Sequence, residues 1–196
     1  EITTRLVGSE MCIRDSSLHR AGLPPEDLRS TRNENSGLAG ARRYLGQAAA
    51  FRLAAERQPR LLTGFARREE GLLTIPSDLR KPCLEHLMDR AQAGDPDARW
   101  VFRQVGVHLG QISRELDWVM APGTQVRYLF GRFVKSPVCF RLMAEGCRSV
   151  LPRLRLEAAD EDLACTPLMR DLAGQDVTVA QFGQAVGAMY FAAMEP

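Results

Sequence analysis

The chain of 196 residues is short of several things, and each absence excludes a class of function. No apolar run approaches the ~20 residues that a membrane-spanning helix requires. Lysine occurs only at Lys81 and Lys135, so arginine carries nearly all the positive charge. The net charge is only +2, which gives no general case for a nucleic-acid surface. A GC-rich coding sequence accounts for the arginine bias more simply than a phosphate-binding face does. Cysteine is present at Cys12, Cys83, Cys139, Cys147 and Cys165, but never as a CxxC pair. That leaves zinc knuckles and dithiol redox motifs unsupported. Buried, reduced thiols of a cytoplasmic protein are the expectation. His19, His86 and His108 are scattered and none stands in an HExxH arrangement. Internal repeats and low-complexity blocks are also missing.

What is present begins oddly. Glu1–Ser16 reads EITTRLVGSEMCIRDS, with no helical or strand period. It lacks the basic start and unbroken apolar run of a secretory signal. Back-translated, LVGSEMCIRDS resembles the transposase adapter of short-read sequencing libraries, and the residues before it match the flow-cell end of that adapter. Residues 1–16 are therefore read as an adapter-derived, disordered scar. The expectation is that the native chain enters mid-gene as a C-terminal fragment. Residues 17–35 are polar and broken by Pro24-Pro25, so they read as a linker or as the truncated edge of a preceding lobe.

From residue 36 the pattern is mostly helical. In SGLAGARRYLGQAAAFRLAAERQ, the spacing of Leu38, Ala41, Leu45, Ala48 and Ala49 predicts one buried helical face. Residues 60–74 read as a mixed connector. A second helix is predicted over Pro82–Ala93, with Cys83, Leu84, Leu87, Met88 and Ala91 inward and Gly94 as its stop. Asp95 is an N-cap candidate and Pro96 suits a first turn, where its missing N–H would have had no partner. Ala98, Val101, Phe102, Val105, Leu109, Ile112, Leu116 and Val119 then hold a helical period. Gln125–Phe130 reads as a strand broken by Gly131. Ser136-Pro137 opens a helix to about Leu151, with Cys139, Leu142, Met143, Gly146 and Val150 inward. Leu154–Ala158 suits a short strand. The closing VAQFGQAVGAMYFAA suits a helix with Val179, Phe182, Val186 and Tyr190 in a stripe. The order is that of an α/β fold in which helices dominate.

Few residues invite chemistry. In open α/β sheets, ligands sit beyond the carboxyl ends of strands, where a glycine lets the backbone approach them. LFGRFVKS fits that position, and a plain turn fits it as well. Gly183 and Gly187 stand four apart on the closing helix. They suit close approach of a nucleotide or, more commonly, of a neighbouring helix. His108 lies beside the packed face of its helix and reads as a structural histidine. Ser113, Glu115 and Asp117 read as a solvated face, and so does the arginine cluster Arg52, Arg57, Arg60, Arg67 and Arg68.

Three stretches in order resemble the C-terminal part of ROK-type proteins, the bacterial sugar kinases and repressors of the actin-like ATPase superfamily. AGDPDARWVFRQVGVHLGQ is similar to the family's long helix. VRYLFGRFVKS is similar to the strand that ends in its adenosine-side glycine turn, and FGQAVGAMYFAA to its closing Gly-Ala-Ala helix. Upstream, GLAGARRYLGQAAAFRLAAE resembles the helix after the family's sugar-binding segment, in a divergent branch. The resemblance implies that residues 36–196 form the helix-rich C-terminal lobe of an actin-like (ribonuclease H-like) fold without its N-terminal lobe. It implies a parent that uses ATP with Mg to phosphorylate a sugar. Phe130, Gly131, Arg132, Gly183 and Gly187 would then stand on the nucleotide side. The family usually has a second glycine where this chain has Arg132. Its phosphate loop, catalytic aspartate and Cys-rich zinc motif have no counterpart here. On this reading the chain alone is inactive. Two alternatives stay open: a sugar-responsive regulator, which alone would bring in nucleic acid, and a non-catalytic nucleotide-binding or homodimerising module.

Overall fold

The structure is a computed structural model that describes residues 23–32, 42–120, 126–129 and 131–158, together with Asp171 and Met189. These residues form a helix-rich α/β arrangement. Helix α1 (Arg42–Leu45) and helix α2 (Gln47–Arg57) are separated at Gly46. A 3-10 turn (Pro59–Leu62) leads to an antiparallel hairpin of β1 (Arg67–Glu69) and β2 (Leu72–Thr74). Helices α3 (Ser77–Gln92) and α4 (Pro96–Met120) follow. Strand β3 (Val126–Leu129), a 3-10 turn (Arg132–Lys135), α5 (Pro137–Val150) and β4 (Arg155–Ala158) complete the order. None of the described helices is long and apolar enough to cross a membrane.

The apolar periods of α3, α4 and α5 become the core. Cys83, Leu84, Leu87, Met88 and Ala91 of α3 are all buried, as their spacing predicts. They pack with Ala98, Val101, Phe102 and Val105 of α4 and with Cys139, Leu142 and Met143 of α5. Phe102 meets Phe133 edge to face at 5.7 Å. The starts of α4 and α5 are also as expected. Asp95 Oδ1 accepts from the N–H groups of Asp97 (2.9 Å) and Ala98 (3.1 Å). The Ser136 hydroxyl accepts from the N–H of Cys139 at 3.3 Å and caps α5.

The α4–α5 crossing is unusually close. A Cβ built on Gly106 would lie 2.0 Å from the Met143 carbonyl oxygen, and one on Gly146 would lie 2.0 Å from that of Arg103. Backbone therefore meets backbone, which only glycine permits at both sites. Beside this crossing, β3 and β4 pair in parallel, Val126 opposite Arg155 through Leu129 opposite Ala158. Strands joined by a hairpin run antiparallel, so the parallel pair depends on α5 as its crossover.

Several expectations are corrected. The first helical face is only partly as predicted: Ala49 is buried, but Leu45 and Ala48 are only partly covered, and Ala50, Phe51, Arg52, Leu53 and Ala54 are buried as well, so α2 is covered nearly all round. Gly46 breaks the helix there and restarts its phase; Leu38 and Ala41 lie outside the described residues. Helix α3 starts at Ser77, with Pro82 inside it. The proline removes only one hydrogen bond near the helix start, and Asp78 in the first turn favours the helix dipole. The connector over 60–74 contains a hairpin whose Glu70 and Gly71 both have positive φ, 50° and 83°. That is the two-residue turn matched to strand twist. Val150 is half-buried rather than inward, and Ser113 is buried at 2 % exposure rather than solvated. The predicted closing helix lies outside the described residues, apart from the helical Met189.

Candidate functional site

The predicted glycine turn sits at the carboxyl end of β3. Gly131 has φ 97°, a left-handed conformation that side chains resist, and an added Cβ would meet nothing within 4 Å. The turn therefore needs glycine for its backbone angle, and the space above it is open. Arg132 begins the 3-10 turn and is exposed. Phe130, Gly183 and Gly187 lie outside the described residues, so only Gly131 and Arg132 of the predicted set are brought together.

A second feature was not anticipated. A cleft of about 420 Å³ lies between the segment around Glu26–Leu28, the α1–α2 junction and the end of β2. Its outer wall is tied down strongly. The N–H of Leu28 donates to the Leu73 carbonyl at 2.7 Å. Asp27 is fully buried and accepts from the N–H of Leu73 (3.2 Å), the N–H of Arg29 (2.8 Å) and the Arg29 guanidinium. Burial alone would raise the Asp27 pKa. The Arg29 side chain and the two backbone N–H groups outweigh it and hold the carboxyl at about 2.

The third feature corrects the arginine reading. Arg60, Arg67 and Arg68 are exposed, but Arg52 is fully buried on α2. It pairs with Glu56 at 3.1 Å and lies over the Tyr44 ring, 5.0 Å from its centroid. Tyr44 in turn meets His108 edge to face at 5.3 Å. Arg52 Nη2 is buried and has no hydrogen-bond partner among the described residues. Burial, reinforced by the Arg52 charge, pushes the His108 pKa down to about 4, with the Tyr44 carbonyl opposing. His108 is thus a neutral structural histidine, as its position predicts. Arg52 was illegible because it interrupts the Ala- and Phe-rich run AAAFRLAA; the available signal was Glu56, four residues on, as an ion-pair partner.

Cys83, Cys139 and Cys147 are buried and unpaired. Burial pushes the Cys83 thiol to about 12 and that of Cys147 to about 11, which suits inert core positions. Cys165 lies outside the described residues. Among the described residues, no three His, Cys, Asp or Glu side chains group as a metal site would need.

Compared with known proteins, the chain matches no family model, no curated protein and no solved structure.

Proposed function

We propose that the chain is the nucleotide-side lobe of a ROK-like, sugar-kinase-related protein with an actin-like fold. The observation that carries this reading is the β3–α5–β4 unit: parallel strands with a left-handed glycine two residues beyond the end of β3. Ligands of open α/β sheets sit at that end. The open space over Gly131 is compatible with adenosine lying against the backbone. The chemistry of phosphoryl transfer, with Mg and an aspartate base, would come from groups beyond the described residues. The lobe would supply binding and positioning, and a sugar would be the phosphoryl acceptor of the whole protein.

Arg132 favours a second reading within the same family. A guanidinium beside the turn, where the family has a bare glycine, suits a pocket whose nucleotide affinity has been reduced, as in a sugar-responsive regulator. Calorimetric titration with Mg–ATP tests both. The first reading predicts saturable binding in the millimolar range or better, weakened by Gly131→Ala. The second predicts binding that emerges only in Arg132→Gly. Absence of binding in both chains would end the nucleotide reading.

A further inference from the structure

We propose that the cleft between the Glu26–Leu28 segment and the α1–α2 junction binds a small hydroxylated anion, the phosphate ester or the carboxylate of a polyol. This site is separate from the Gly131 turn and does not depend on the nucleotide reading. Its volume of about 420 Å³ falls in the range of small-molecule pockets.

The charged lining is held in place by backbone. Arg43 is 6 % exposed, and its guanidinium donates to the Arg32 carbonyl at 3.0 Å and to the Pro25 carbonyl. Arg80 donates through Nε to the Ile75 carbonyl at 3.3 Å. Its two terminal nitrogens have no acceptor among the described residues. They form one edge of a planar fork suited to two oxygens of a phosphate or carboxylate. A side chain already fixed through Nε loses little freedom on binding, which favours affinity.

The remaining lining fits the rest of such a ligand. Glu26 makes no ion pair among the described residues, so its carboxylate is available to accept from hydroxyls. Thr74 adds a neutral donor and acceptor. Leu28 and Phe51 are buried and give the carbon skeleton an apolar floor. The wall carrying Glu26 and Leu28 is fastened to β2 through Asp27, so the cleft is formed before a ligand arrives.

The test is calorimetric titration of the whole chain with glucose 6-phosphate, gluconate, glucose and inorganic phosphate. Saturable binding is expected for the ester or for the carboxylate, and whichever binds more tightly identifies the anion. Arg80→Gln should weaken it about tenfold or more, the loss expected for a charge-assisted pair. Glu26→Gln, on the exposed rim, should weaken it by a smaller factor while leaving the fold intact. Arg153→Gln, in a different groove, should change nothing. The proposal is overturned if neither anion saturates or if both Arg80→Gln and Glu26→Gln bind as the parent does. It is also overturned if glucose or inorganic phosphate alone binds as tightly as the preferred anion.

Discussion

The two flanks of α4 are built on opposite principles. Towards α5, Gly106 and Gly110 remove side chains altogether, and the Met143 and Cys147 backbone fills the space. Towards α1 and α2, the same helix presents His108 to Tyr44, beside a buried Arg52. The first flank is a steric fit that ignores solution conditions. The second is an electrostatic arrangement, in which a guanidinium, a carboxylate and a neutral imidazole share a low-dielectric space. Stability on the first flank is therefore sensitive to added atoms, and on the second to charge and pH.

Arg52 offers the largest break in that contrast. Arg52→Ala should cost about 3–5 kcal/mol, because it leaves Glu56 poorly compensated and empties a fully buried site. Arg52→Met should cost less, since a side chain of similar length keeps the buried site filled, although Glu56 loses its partner in both variants. Urea denaturation of both variants measures the difference; equal losses would show that the ion pair lost in both, and not the emptied volume, sets the cost.

On the glycine flank, Gly146→Ala places a methyl 2.0 Å from the Arg103 carbonyl oxygen. Because that neighbour is backbone, α4 and α5 must move apart, at a cost of about 3 kcal/mol, the upper end of ordinary overpacking. A thermal melt indistinguishable from the parent's would contradict so close a crossing.

The pH dependence sharpens the comparison with a smaller, graded effect. The folded pKa of His108 is about 4, against an unperturbed 6.5. Between these values the unfolded chain holds a proton that the folded chain refuses. Stability is then full above pH 6.5 and falls as the pH drops towards 4, by up to about 3 kcal/mol. His108→Phe should flatten that slope. Asp27 acts in a lower window: its folded pKa of about 2 lies below the ordinary 3.8, so its contribution is lost only as the pH falls through that interval. Stability measured from pH 8 down to about 2 in the parent and in His108→Phe separates the two groups.

These contrasts also explain what was legible in the sequence. Helices α3, α4 and α5 follow from periodicity because each puts one apolar stripe inside, and Asp95 and Ser136 announce the starts of α4 and α5. The hairpin escaped because Arg67, Arg68 and Glu69 are all exposed and give β1 no alternation, while its turn is Glu-Gly rather than Asn-Gly. Arg52 escaped because pattern reading assigns a charge to solvent unless its partner is sought. The glycine crossing was half visible: Gly146 was placed inward, yet its need for Gly106 depends on how two helices meet in space. The cleft was invisible for the same reason. Glu26, Arg43, Thr74 and Arg80 are far apart in sequence and are assembled only by the ties from Asp27 and Leu28 to Leu73.

The central functional claim is that the end of β3 receives a nucleotide. The most direct measurement is a 15N-resolved NMR titration of the chain with Mg–ATP, following the amides of Gly131 to Ser136. The account predicts saturable shifts concentrated there, with the α2 and α3 amides unmoved. Shifts confined to other parts of the chain, or none at millimolar nucleotide, would contradict it.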